Sequence, residues 1–190
     1  NFFDSDDIAL SNHVASFESY IKKNNFPNIF TNSYKVRNIK NNYDKNIIMD
    51  KKLYKNIFKD NIISCNAVFI KKEFFYKYKF SEDKFLSGSE DWDLWLRISC
   101  NEKIKVNRII SSVLIDHNLR STKIQKTDKM ILRIDTLYKR IINKNIIKLD
   151  QELSNVLSEI YSFKSMIYSQ IIKKKIISFL FLIYSLYLRP

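Results

Sequence analysis

The chain has 190 residues, 45% of them hydrophobic and 14% aromatic, which suits one domain with a sizeable core and excludes global disorder. The formal net charge of +13 admits nucleic acid, an anionic membrane surface or a phosphate-bearing substrate as partner. One glycine, two prolines and an excess of Asn, Lys, Ile, Phe and Tyr have the look of an AT-rich genome, which explains much of the lysine without any function.

In chain order, Asn1, Phe2 and Phe3 read as the last residues of a buried strand, as expected for a piece of a longer protein. They run into Asp4, Ser5, Asp6 and Asp7. Leu10, Val14, Phe17 and Ile21 recur at helical spacing and predict a helix capped by Ser11 or Asn12, with His13 on its polar side. Residues 24–28 break it. Residues 29–37 read as a weak strand, and 38–60 as a polar connection holding a short helix near 51–58. The apolar, β-branched run 63–70 predicts a buried strand, and 71–78 a short helix.

Residues 85–91 form a loop around Gly88, and 91–100 a helix that buries Trp92, Trp95 and Leu96. Residues 104–116 predict one or two strands. From about 123 onward the pattern is helical, through Ile131, Ile134, Tyr138 and Ile141 and then Leu153, Val156, Ile160 and Ile167. Strands alternating with helices indicate an α/β layer architecture over 1–122, with a helical tail over 123–190. Cys65 and Cys100 fit neither a metal spacing nor a disulfide framework and read as small buried thiols.

Two acidic clusters carry the chemistry. Asp4, Asp6 and Asp7 repel one another, and a hard divalent cation resolves that repulsion, since Mg²⁺ and Mn²⁺ take carboxylates together with substrate phosphates. The alternative is a solvated helix N-terminus, where the dipole favours acids. Glu90, Asp91 and Asp93 form the second cluster, around the start of the Trp92 helix. Acidic capping is one reading of Glu90 and Asp91. Asp93 reads as a helix-surface partner of Arg97, one turn on.

The stretches FFDSDDIAL, SCNAVFIKKEFF, KFSEDKFLSGSEDWDLWLRIS and LIDHNLRSTK, in that order, resemble the second half of a family 2 glycosyltransferase. SEDWDLWLR is the most specific of them. The chain departs from the family at Lys77-Tyr78-Lys79-Phe80, where glycines are usual, and it lacks the family's first half with most of the base pocket. The resemblance implies a Rossmann-like, glycosyltransferase A-type sheet and inverting transfer of a sugar from a nucleotide-diphospho-sugar to a hydroxyl acceptor, in surface polysaccharide or glycan synthesis. It implies that Asp4, Asp6 and Asp7 bind the sugar nucleotide, and that Asp6 and His117 bind Mn²⁺ or Mg²⁺. Asp91 would be the general base, with Glu90 orienting it or the acceptor. Cys65 and Asn66 fall where the family lines its sugar pocket, and Arg120 is placed to meet phosphate. A surface turn is the other reading of His117.

Lys173, Lys174 and Lys175 precede an apolar run, 176–188, that is too short to span a bilayer. It reads either as an interfacial helix on anionic headgroups or as a packed core helix. The expected setting is the cytoplasm, or its membrane face, with a glycan or lipid-linked acceptor. Two other readings stand beside the enzyme: a basic nucleic-acid-binding module, and an inactive transferase remnant. No glycine–aromatic RNA-binding signature favours the first, and no nucleic acid partner is expected.

Overall fold

A computed structural model describes residues 1–50, 56–118, 120, 125–143, 147 and 150–189. The chain divides into two compact units. The first comprises Asn1–Tyr54, Ile62–Lys79 and Glu102–Ile124, and the second Lys55–Asn61, Phe80–Asn101 and Gln125–Pro190.

The first unit is α/β, with a mixed open sheet. Among the described residues its strands are β1 (Ile8–Ala9), β2 (Ile29–Asn38), β3 (Tyr43–Ile47), β4 (Val68–Ile70) and β5 (Lys105–Asp116). β5 lies parallel to β2 and carries β1 antiparallel on its other edge. The far edge of β2 is shared: β4 pairs antiparallel with Ile29–Thr31, and β3 with Tyr34–Asn38. The β2–β5 register shifts on both sides of Ser33, so β5 bulges out around Arg108 and Ile109.

Helix α1 (His13–Lys23) packs on this sheet through aromatic residues. Phe17 stacks on Phe69 at 5.0 Å, and Tyr20 on Phe30 at 4.4 Å. The helix exists as expected, but its buried face differs from the one the apolar spacing suggests. Val14 is 64% exposed, whereas His13 is only 7% exposed and Ser16 is also buried. The reason lies in the sheet. Asn32, on β2, donates to Ser16 Oγ at 2.9 Å and to Ser111 Oγ at 2.7 Å, and receives a bond from Asn107 Nδ2 at 2.8 Å. His13 Nδ1 meets the Ser111 carbonyl oxygen at 2.9 Å. A buried polar patch needs polar partners, so it turns the polar side of α1 inward. Asn12 stands at the cap position, and its side chain reaches the Ile110 carbonyl oxygen instead of a helix amide.

Other expectations are met in part. Run 63–70 gives a 3₁₀ turn at Cys65–Ala67 before the short β4, and helix α2 (Lys72–Tyr78) follows. β3 lies within the stretch expected to be a polar connection, and the helix expected near 51–58 falls mostly outside the described residues. Residues 1–3 form no strand. Phe3 is exposed, and Asn1 Nδ2 donates to the Asn66 and Val68 carbonyl oxygens at 3.2 and 2.7 Å.

The second unit is helical. α3 (Glu90–Ser99) buries Trp92, Leu94, Trp95, Leu96 and Ile98, and with them the polar Asp93 and Ser99, so it lies within the unit's core although half of its residues are polar. α4 (Thr127–Asn143) buries Ile134, Leu137 and Ile141. α5 (Asp150–Gln170) and α6 (Lys175–Leu188) form an antiparallel pair with an inverted polarity. Serines form part of their contact: Ser158 donates to the Ser185 carbonyl oxygen at 2.9 Å, and Ser178 to that of Ser165 at 2.9 Å. Phe181 packs on Tyr161 and Tyr168 of α5, whereas most other apolar side chains of α6 point outward, with Ile176 80% and Tyr187 83% exposed. No helix among the described residues is long and apolar enough to cross a membrane.

Candidate functional site

The first candidate site lies in the first unit. Asp4 to Asp7 make a tight turn, closed by the Asp7 amide donating to the Asp4 carbonyl oxygen at 3.1 Å. No strand leads into this turn. Instead β1 follows it, and because β1 runs antiparallel to β5 the acids sit beyond the carboxyl end of β5. That is where ligands gather in open α/β sheets.

Asp7 is the anchor of the turn. Its Oδ1 accepts from the Ile115 amide at 3.1 Å and its Oδ2 from Asn66 Nδ2 at 2.7 Å. Ser112 Oγ in turn donates to Asn66 Oδ1 at 3.1 Å. Both carboxylate oxygens of Asp7 are therefore engaged by the protein, and burial pushes its pKa up. Asn66 is buried and holds Asp7, a role that the 3₁₀ turn at Cys65–Ala67 makes possible.

Asp6 points the other way. Its Oδ2 lies 2.6 Å from His117 Nε2, across 111 residues of sequence. The side chain stays substantially open to solvent. The hydrogen bond to His117 holds the Asp6 carboxyl below the usual range, and the His117 and Arg120 charges add to this. Asp4 is exposed, and its charge is among the forces that raise Asp7. The sequence-expected residues Asp4, Asp6, Asp7 and His117 thus come together around one turn, with Asp6 and His117 in direct contact.

Among the described residues no group of three or more His, Cys, Asp or Glu is arranged to hold a metal ion. Asp6 and His117 still offer a carboxylate oxygen and an imidazole nitrogen, a donor pair that suits Mn²⁺. Such a cation commonly takes one or two protein ligands and completes its shell with phosphate oxygens and water.

Glu90 and Asp91 belong to the second unit. Gly88, the one glycine of the chain, takes φ 91° in the loop before α3, a left-handed value that favours glycine there. Its amide donates to Glu90 Oε2, so Glu90 braces its own loop. Asp91 Oδ1 accepts from Asn61 Nδ2 at 3.0 Å and from the Trp92 amide at 2.8 Å. Burial pushes the Asp91 carboxyl upward, and Glu90 repels it further, while the two donors partly oppose this. A carboxyl so placed is more basic than usual, as a general base should be.

Asp93 corrects a sequence expectation. It does pair with Arg97, whose Nε is 2.9 Å from Oδ2, but it is not on a helix surface. It is 1% exposed, and Arg140 on α4 grips it as well. Beside Glu90 a cleft of about 700 Å³ opens, lined by Asp83, Lys84, Phe85, Asp128 and Lys129.

No family model matches the chain, and neither a curated protein nor a solved structure matches it. Sequence reasoning missed Asn61, which orients Asp91, and Arg133 on α4, which is buried. A signal for Arg133 existed: it falls on the same helical face as Leu137 and Ile141, amid the apolar stripe.

Proposed function

We propose that this chain is the metal- and acceptor-binding part of an inverting, family 2-type glycosyltransferase, which moves a sugar from a nucleotide-diphospho-sugar to a hydroxyl acceptor in glycan or surface-polysaccharide assembly. The observation that carries the reading is the 2.6 Å approach of Asp6 and His117 beyond the carboxyl end of β5. Two residues singled out as ligands from distant motifs meet there.

Asp6 and His117 would hold the divalent cation, which offsets the charge of the diphosphate. Asp7 fixes the turn through Ile115 and Asn66 and takes no direct part. Arg120 adds positive charge for the diphosphate. Asp91 receives the proton of the acceptor hydroxyl. Both of its donors sit on Oδ1, so the proton goes to Oδ2. The hydroxyl oxygen forms the new bond to the anomeric carbon as the bond to the diphosphate breaks with its electron pair, and configuration inverts.

The reading extends to the membrane face of the cytoplasm. The outward apolar side of α6 and Lys173 to Lys175 beside it suit a helix lying in an anionic headgroup layer, near a lipid-linked acceptor.

The test is binding of Mn²⁺ with a nucleoside diphosphate, read as a rise in melting temperature. A ligand that binds only the folded state adds about 2.7 kcal/mol at a hundredfold excess over Kd. Asp6→Ala should lose the rise, and Asp91→Asn should keep it. A rise of equal size in Asp6→Ala removes the metal assignment.

A further inference from the structure

Asn61 is satisfied at one end only. Its Nδ2 donates to Asp91 Oδ1 at 3.0 Å, while its own Oδ1 is buried and accepts nothing among the described residues. A buried amide oxygen without a partner is costly. Turning the amide over would exchange the two ends, but it would set Oδ1 against the Asp91 carboxylate, oxygen to oxygen. The charge on Asp91 therefore dictates how the amide lies, and the orphaned oxygen is tolerated for the sake of that one bond.

The segment that carries Asn61 is firmly held. Ile57 and Phe58 are each 1% exposed, and the Ile57 carbonyl oxygen accepts from the Trp92 indole at 2.9 Å. The amides of Lys59 and Asp60 both donate to the Asn56 carbonyl oxygen at 2.9 Å, and the Asn61 amide to Asp60 Oδ1 at 2.7 Å. Residues 56–61 thus form a closed turn that is tied to α3 at two successive residues, Asp91 through Asn61 and Trp92 through Ile57. A side chain on such a support is held to the tolerance that bond-making chemistry needs. The Trp92 amide also donates to Asp91 Oδ1, but it comes from the next residue along the same helix; Asn61 is the donor brought in from another segment.

We propose that Asn61 is the positioning residue of Asp91: its Nδ2–H fixes the plane of the carboxyl, keeps Oδ1 out of proton transfer and favours the carboxylate over the acid. Its part in sugar transfer rests on the transferase reading, in which Asp91 is the base. Its control of the Asp91 carboxyl rests on the hydrogen bond alone. The charged groups around this carboxyl are Glu90 on α3, which opposes its ionisation, and Arg133 on α4, whose charged form Asp91 favours. Lys59, Asp60 and Glu159 line the cavity that Asn61 borders. Asp60, Glu90 and Glu159 titrate in the acid range too, so Asp91 has to be followed by its own signal.

The test follows the Asp91 carboxyl carbon of the full chain by nuclear magnetic resonance as pH is varied, the signal being assigned by its absence in Asp91→Asn. Asn61→Leu is close in volume and removes the donor. Because a hydrogen bond to a charged group is among the stronger ones, this variant should raise the proton affinity of Asp91 about tenfold to a hundredfold. Asn61→Gln, which keeps an amide, should return part of the difference. Melting temperature gives a second readout. Asn61→Leu also removes the orphaned oxygen, so it should equal or exceed the wild type at about pH 4, where Asp91 is protonated, and fall below it at about pH 8, where the buried carboxylate has lost its donor. In the Asp91→Asn background the same substitution should show no such crossing. An unchanged proton affinity in Asn61→Leu, or an equal change in melting temperature at both pH values, overturns the proposal. In the complete enzyme Asn61→Leu should lower kcat about tenfold and move the acid limb of the pH profile upward, with KM for the sugar nucleotide unchanged. A raised proton affinity with kcat and acid limb unchanged upholds the control of Asp91 by Asn61 and removes Asp91 as the base, so the two readings fail separately.

Discussion

Arg140 reaches from α4 to Asp93 on α3 with a two-pronged grip, Nε lying 2.8 Å from Oδ1 and Nη2 3.0 Å from Oδ2. Arg97 closes on the same carboxylate from one turn away. Asp93 is thus an internal joint between two helices. Asp93→Ala strands two arginines and should cost about 3–5 kcal/mol, the usual loss when one partner of a buried ion pair is removed. Chemical denaturation measures it. A cost below about 1 kcal/mol would show that the joint contributes little.

Asp91 should behave in the opposite sense. Its folded pKa lies above that of the unfolded chain, so it binds more protons when folded. Stability contributed by this group is present at low pH and is lost as pH rises through the window from the ordinary carboxylate value to the raised one. Asp91→Asn does not titrate and can still accept from Asn61. The variant should match or exceed the wild type in melting temperature at pH 7, with a flatter acid-side profile. In the complete enzyme its turnover should fall by about a hundredfold to ten-thousandfold. A destabilised variant with full turnover would reverse the assignment.

His13 sets an acid limit on the first unit. Burial lowers its pKa below 6.5, against the pull of the Ser111 bond, so the unfolded chain takes up its proton more readily. The stability due to neutral His13 is present above about pH 6.5 and is lost as pH falls through that value toward the folded pKa. Nuclear magnetic resonance should show the His13 ring titrating below the ordinary range. A midpoint at or above 6.5 contradicts the buried arrangement with Ser111.

The outward apolar face of α6 predicts membrane association. The chain should sediment with vesicles containing anionic lipid, and replacing Lys173, Lys174 and Lys175 by Gln should weaken this by about 1 kcal/mol per charge. Phe179→Ser with Tyr187→Ser should weaken it further, because both side chains are exposed and apolar. Equal sedimentation of the wild type and both variants would mean that α6 is not the contact.

Much of this was legible in the sequence where one signal dominates. The Trp92 helix, the short helix after β4 and the long strand β5 follow from dense apolar runs with clear ends. The phase of α1 was not legible, because it depends on Asn32, Asn107 and Ser111, which are remote in sequence and polar. Buried polar networks leave no periodic mark. The same limit hid Asp93: an Asp followed four residues on by Arg looks the same on a surface as in a core. The pairing of Asp6 with His117 was reached only by joining motifs. The different duties of Asp6 and Asp7 came from geometry, since adjacent acids in one turn are indistinguishable in sequence.

The pairing of β2 with β5 has a consequence for how the chain acquires its structure. These strands are adjacent in the sheet, yet segments 55–61 and 80–101, which belong to the other unit, lie between them in sequence. Closing so long a loop delays the pairing, as high contact order does in general. During synthesis the sheet cannot be completed until residue 116 has left the ribosome, and α3 must wait longer still for α4. Until then Trp92 and Trp95 have Ile57 and Phe80, made earlier, to pack on, but Asp93 has Arg97 alone as its ion-pair partner.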